Sequence, residues 1–131
     1  MLVYLDTAPL IYLLENVEPY ASRLITRLSA PNTFQTCSHL TRLECRVKPL
    51  RDGETALLTA FDTYFAKIMT NIIPLSAQVI DQATDLRARY GFKTPDAIHL
   101  AAAVTAKCDF FLTNDHHLER CREIAVETLK L

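Results

Sequence analysis

The sequence predicts an α/β protein, a mainly parallel sheet with helices packed on both of its faces. Two observations predict it. Short apolar runs rich in strand-forming residues (LVYL at 2–5, NIIPL at 71–75, DFFLT at 109–113) alternate with longer stretches of helical character. The chain has 131 residues, half of them hydrophobic and only 2 of them Gly, which suits one compact domain over 1–131.

Each element has its own warrant. LVYL forms the first strand, ended by Asp6 and Thr7. Residues 8–16 are helical, with Leu10, Ile11, Leu13 and Leu14 at mixed three-to-four spacing, and Pro19 to Ser29 form a second helix with Leu24, Ile25 and Leu28 on one face. A turn at PNTFQTCS leads through a short strand at 34–37 to a helix capped by Ser38, running from His39 toward Lys48 and bent or ended by Pro49. Gly53 breaks the chain, and Glu54 to Met69 form an amphipathic helix with Leu57, Leu58, Phe61, Phe65 and Ile68 inward. After the strand 71–75, Ser76 caps a helix over 77–90 that Gly91 terminates. KTPDAIHLAAAV opens another helix, with Thr94 as its cap and Pro95 in its first turn, reaching Lys107. The strand 109–113 follows, then a short helix at NDHHLERC, and a final strand within 123–131.

Composition narrows the function. The apolar runs are too short to span a bilayer, and MLVYLD reaches an acid at residue 6, unlike a cleavable leader. The expectation is a soluble protein of the cytoplasm, with no membrane partner. Cys37, Cys45, Cys108 and Cys121 form no C-x-x-C pair and have no His at zinc-finger spacing, so they read as free thiols of a reducing compartment. A net charge of −1 argues against coating nucleic acid by charge alone, although RLECRVKPLR carries a local basic patch of Arg42, Arg46, Lys48 and Arg51.

In open parallel sheets, ligands gather at the carboxyl ends of the strands. LVYL runs into Asp6 and FFLTN into Asp115, so both acids belong to that edge. Asp96 opens a crossover helix, which starts at the same edge, and Glu44 lies in the first two turns of the helix after the second strand. Several carboxylates gathered without Cys or His ligands suit a hard cation, Mg²⁺ or Mn²⁺, which activates water and neutralises charge on a phosphoryl group. Each acid also has a local reason to be where it is: Asp96 suits a helix N-terminus, Asp6 and Asp115 suit caps, and Glu44 suits a helix surface. Those reasons do not explain why all four map to one edge, nor why Glu44 sits among Leu40, Leu43 and Val47. Thr7, Thr113 and Asn114 adjoin the acids and are candidates to orient them. His99, one turn past Asp96, reads as a packed or supporting residue, and His116 and His117 as surface residues.

VYLDT, SHLTRLECRVKPLR, KTPDAIHLAAA and FFLTND, in this order and spacing, resemble the PIN-domain ribonucleases, and among them the VapC-type toxins of prokaryotic toxin–antitoxin systems. KTPDAIHLA is the most specific of the four, and the resemblance spans the whole chain. It implies a three-layer α/β/α sandwich around a mainly parallel sheet. It also implies an acidic pocket of Asp6, Glu44, Asp96 and Asp115 that binds Mg²⁺ or Mn²⁺, with Thr7, Thr113 and Asn114 in support. The implied activity is endonucleolytic cleavage of RNA, often in a structured RNA such as a tRNA. The implied partners are the RNA substrate, a cognate antitoxin protein and a second copy in a homodimer. Where some members carry a further acid after the last one, this chain has His116, His117 and Leu118, with Glu119 the nearest carboxylate.

Two readings from other classes stand beside this one. A phosphatase on a doubly wound sheet would need a D-x-D motif after the first strand, where this chain has Thr7 and Ala8 after Asp6. A catalytically silent binding module would use the same acids to hold a partner's basic residues.

Overall fold

The computed structural model describes residues 1–129. Its five strands, β1 (Leu2–Leu5), β2 (Phe34–Ser38), β3 (Met69–Ile73), β4 (Phe110–Thr113) and β5 (Ala125–Thr128), form one sheet in the order β3-β2-β1-β4-β5. Every pairing is parallel. The six helices are α1 (Thr7–Leu14), α2 (Tyr20–Leu28), α3 (His39–Arg51), α4 (Thr55–Lys67), α5 (Ala77–Tyr90) and α6 (Thr94–Thr105), and a 3₁₀ turn spans His116–Arg120. This is the α/β/α sandwich that the sequence predicts.

The period-two alternation of β1 divides the core. Val3 and Leu5 face one side, with Leu10, Leu24, Phe61 and Leu112, under α1, α2 and α4. Tyr4 faces the other, stacked on Phe111 at 5.2 Å and packed with Leu86 and Leu100 under α5 and α6. Val3, Tyr4 and Leu5 of β1 are fully buried, which explains why a parallel strand reads as one unbroken apolar run. From β1 the chain builds outward through β2 and β3, then returns to place β4 on the opposite side of β1. The order therefore reverses between β1 and β4, where such sheets open a crevice at their carboxyl ends.

Several expected boundaries shift for local physical reasons. Pro49 does not end α3, which runs to Arg51. Its ring is buried on the same face as Thr41 and Cys45, and that packing offsets the missing N–H. Because α4 ends at Lys67, Ile68 leaves the helical period and is half exposed, while Met69 turns inward to begin β3. β3 ends at Ile73 because Pro74 has no N–H for the ladder. The cap of α6 is Lys93, whose carbonyl accepts from Ala97 N at 2.9 Å, so Thr94 is already inside the helix. The last two positions of the expected final strand, 130–131, lie outside the described residues. Cys37, Cys45, Cys108 and Cys121 are all free thiols. No helix among the described residues is long and apolar enough to cross a membrane.

Candidate active site

Asp6 stands where β1 stops. Its backbone N–H still reaches the Leu112 carbonyl at 3.0 Å, so β4 holds it in ladder register. Its side chain accepts from Thr7 N at 2.8 Å as the N-cap of α1, and from the Thr113 hydroxyl at 2.8 Å. The local role and the edge position coincide in one residue. Thr113, at the end of β4, is fully buried, and its oxygen also accepts from Asp115 N at 3.1 Å. Asp115 in turn accepts from His117 N at 2.9 Å as the cap of the 3₁₀ turn.

Asp96 occupies the first turn of α6, where the helix dipole favours an anion. Its carboxyl is nonetheless pushed above the usual carboxylate range, first by burial and then by the neighbouring charges of Asp6 and Asp115. Glu44, on α3, behaves in the opposite way. The hydrogen bond from His99 holds it below the usual range against the cost of burial, and the bond from Thr7 assists. The distances are 2.6 Å to His99 Nε2 and 2.7 Å to Thr7 Oγ1, both to Oε1.

Asp6, Glu44, Asp96 and Asp115 line one open cavity of about 290 Å³, with Thr7, His99 and Asn114 in its wall. Thr113 lies beneath it, behind Asp6. Oxygen donors from four elements suit a hard divalent cation in kind. Among the described residues, however, no three His, Cys, Asp or Glu side chains are gathered tightly enough to hold an ion as they stand. The four carboxylates thus share the lining of one cavity. Asp6, Glu44 and Asp115 each accept from a protein donor.

Other candidates fall elsewhere. Leu43 and Val47, which appeared to bury Glu44, are exposed at 58% and 50%. The basic patch is divided: Arg46 pairs with Asp62 at 2.9 Å and Arg51 with Asp52 at 3.0 Å, while Arg42 lies 3.0 Å from His39 Nδ1. His116 and His117 are on the surface. Two contacts escaped the sequence. Asn114 donates to the Tyr12 hydroxyl at 2.7 Å, tying the acidic loop to α1. The Tyr4 hydroxyl lies 2.7 Å from His99 Nδ1 beneath the cavity floor. The only sequence signal for the second is that Asp96 and His99 share a helix face three residues apart.

Together the fold and this edge define a class: a doubly wound parallel α/β protein with an acidic cavity at its topological switch point. The chain belongs to the PIN domain family, whose model matches residues 3–124. Its fold is also that of solved toxin–antitoxin proteins. It is similar to a chain of VapBC2 from Rickettsia felis bound to a promoter DNA fragment, with TM-score 0.78, 18% identity and 98% of each chain covered. A toxin–antitoxin complex from Klebsiella pneumoniae gives 0.72, 24% and 96% of each chain. VapC20 of Mycobacterium tuberculosis, described as a Sarcin-Ricin loop cleaving toxin, gives 0.64 and 12%, covering 83% of this chain and 86% of that one. No curated protein matches the chain in sequence.

Proposed function

We propose that the protein is a Mg²⁺- or Mn²⁺-dependent endoribonuclease acting as the toxin of a type II toxin–antitoxin pair. The observation that carries this reading is the single cavity at the carboxyl edge of a PIN-domain sheet, lined by Asp6, Glu44, Asp96 and Asp115 from separate elements. Asp6 and Asp96 are the proposed primary metal ligands, completed by Asp115 and Glu44 directly or through water. A divalent ion bound there supplies charge neutralisation for the phosphodiester and activation of water. The chain's own part is positional. Thr7 N and Thr113 fix the two oxygens of Asp6. Glu44, kept ionised by its His99 hydrogen bond, is available to accept a proton from an attacking water.

The solved relatives are described as toxin–antitoxin assemblies, which supports an antitoxin partner. An exposed apolar stripe on α3 supports pairing of two copies. The free thiols suit a reducing cytoplasm. The substrate class is RNA, with a structured RNA such as a tRNA as the candidate target.

The test is cleavage of RNA by the purified protein with Mn²⁺ or Mg²⁺, lost in a chelator. Asp96→Asn is expected to lower the rate by a hundredfold or more, on the scale of about 10²–10³ for removing one electrostatic group from such a site. Its thermal stability in chelator should hold or rise. The sign follows from the raised pKa: an ionised Asp96 costs the folded state free energy at neutral pH, a cost absent below the ordinary carboxylate range, and Asn removes it. Cleavage by Asp96→Asn at near-normal rate would refute the assignment. One observation favours the silent binding module, namely that three of the acids already accept from protein donors. Calorimetric titration with Mn²⁺ separates the two, since absence of heat at the wild-type pocket favours the module.

A further inference from the structure

We infer that His99 is a positioning residue for Glu44, clamped from behind by Tyr4. The inference rests on the nuclease reading for its activity test and on the geometry alone for the rest.

His99 is 2% exposed, on the face of α6 that carries Asp96. Both ring nitrogens are engaged. Nδ1 lies 2.7 Å from the hydroxyl of Tyr4, which is itself fully buried and lies 2.9 Å from Ser38 Oγ and 3.4 Å from Thr41 Oγ1. Nε2 lies 2.6 Å from Glu44 Oε1, 3.3 Å from Thr7 Oγ1 and 3.8 Å from Asp6 Oδ1. An ionised carboxylate only accepts, so Nε2 carries a hydrogen and donates it to Glu44. Thr7 donates to that same oxygen at 2.7 Å. One oxygen of Glu44 is thus held twice, and among the described residues no protein group holds Oε2. The carboxylate has a fixed tether and one oxygen left to act.

Burial alone asks only that each ring nitrogen find a partner; here the partner of Nε2 is a carboxylate that lines the cavity. Here the tyrosine, anchored at the start of α3, sets the ring, the tyrosine and histidine rings meet edge to face at 5.8 Å, and the ring sets the carboxylate. Supporting hydrogen bonds of this kind typically change metal affinity or activity by roughly 10–100-fold when removed.

Two substitutions separate positioning from packing. The amide nitrogen of glutamine reaches the place of Nε2, and that of asparagine reaches the place of Nδ1. His99→Gln therefore keeps a donor for Glu44, whereas His99→Asn keeps only the Tyr4 side. With saturating Mn²⁺ and RNA, His99→Asn is expected to lower kcat at least about tenfold with KM for RNA little changed, and His99→Gln to lower it no more than about threefold. Mn²⁺ affinity by calorimetry should follow the same order. In a Glu44→Gln background, His99→Asn should add nothing, because its route of action is gone. Equal behaviour of the two variants in both readouts, at equal thermal stability, overturns the inference. A wild type that cuts no RNA overturns the nuclease reading instead, and the order of Mn²⁺ affinities then decides the role of His99.

Discussion

At the scale of the residue, one hydroxyl joins two of the acids. Thr113 donates to Asp6 and accepts from the backbone of Asp115, with no exposure to water. Thr113→Val keeps the shape and strands both partners, so it should cost about 1–3 kcal/mol by urea unfolding, the usual range for a buried group left unpaired. Thr113→Ser should recover most of the loss. A valine variant as stable as wild type would show that neither bond matters to the fold. The acids themselves were legible because strand ends and helix starts are local patterns. Asp6 follows LVYL directly, and Asp96 follows Thr94 and Pro95. The contact between Tyr4 and His99 was not legible, since it joins positions 95 residues apart and depends on which face of β1 meets which face of α6. Periodicity marks His99 as inward, but it does not name the atom that waits there.

At the scale of the element, agreement tracks the strength of local signals. α5 was readable to the residue because its ends are chemical: Ser76 accepts from Val79 N at 3.2 Å, and Gly91 closes the helix at φ 74°. The ends of α3 and α4 were misread because tertiary packing decided them, through the buried ring of Pro49 and the early exit at Lys67. Gly91 permits a clean test. A methyl group there would meet nothing within 4 Å, so the whole cost of Gly91→Ala is conformational. The left-handed backbone should cost alanine about 1–2 kcal/mol. Gly91→Asn should cost less, because asparagine tolerates that region. Thermal denaturation decides it, and an alanine variant of unchanged stability would mean that the linker between α5 and α6 relaxes to a right-handed turn. Cleavage should persist in both variants, since Gly91 lies outside the cavity wall.

At the scale of the whole molecule, α3 faces two ways. Glu44 points into the acidic cavity, while Leu43, Val47 and Leu50 are exposed at 58%, 50% and 67%. Their spacing of four and three residues makes one stripe along the helix. Single exposed apolar residues are ordinary, but three in a row on one face are better explained by a covering surface. The net charge of −1 offers little repulsion between copies. The protein is therefore expected to pair through this stripe. Light scattering after gel filtration should give the mass of two chains for wild type and of one chain for Val47→Lys. The thermal transition of the variant should remain cooperative, because Val47 belongs to neither core. A wild type that stays single at concentrations where the variant does too would remove the pairing and leave the stripe for the proposed antitoxin. Because the stripe and Glu44 share a helix, pairing also bears on the site: if it steadies α3, Val47→Lys should lower kcat while leaving the side chains of the cavity unaltered.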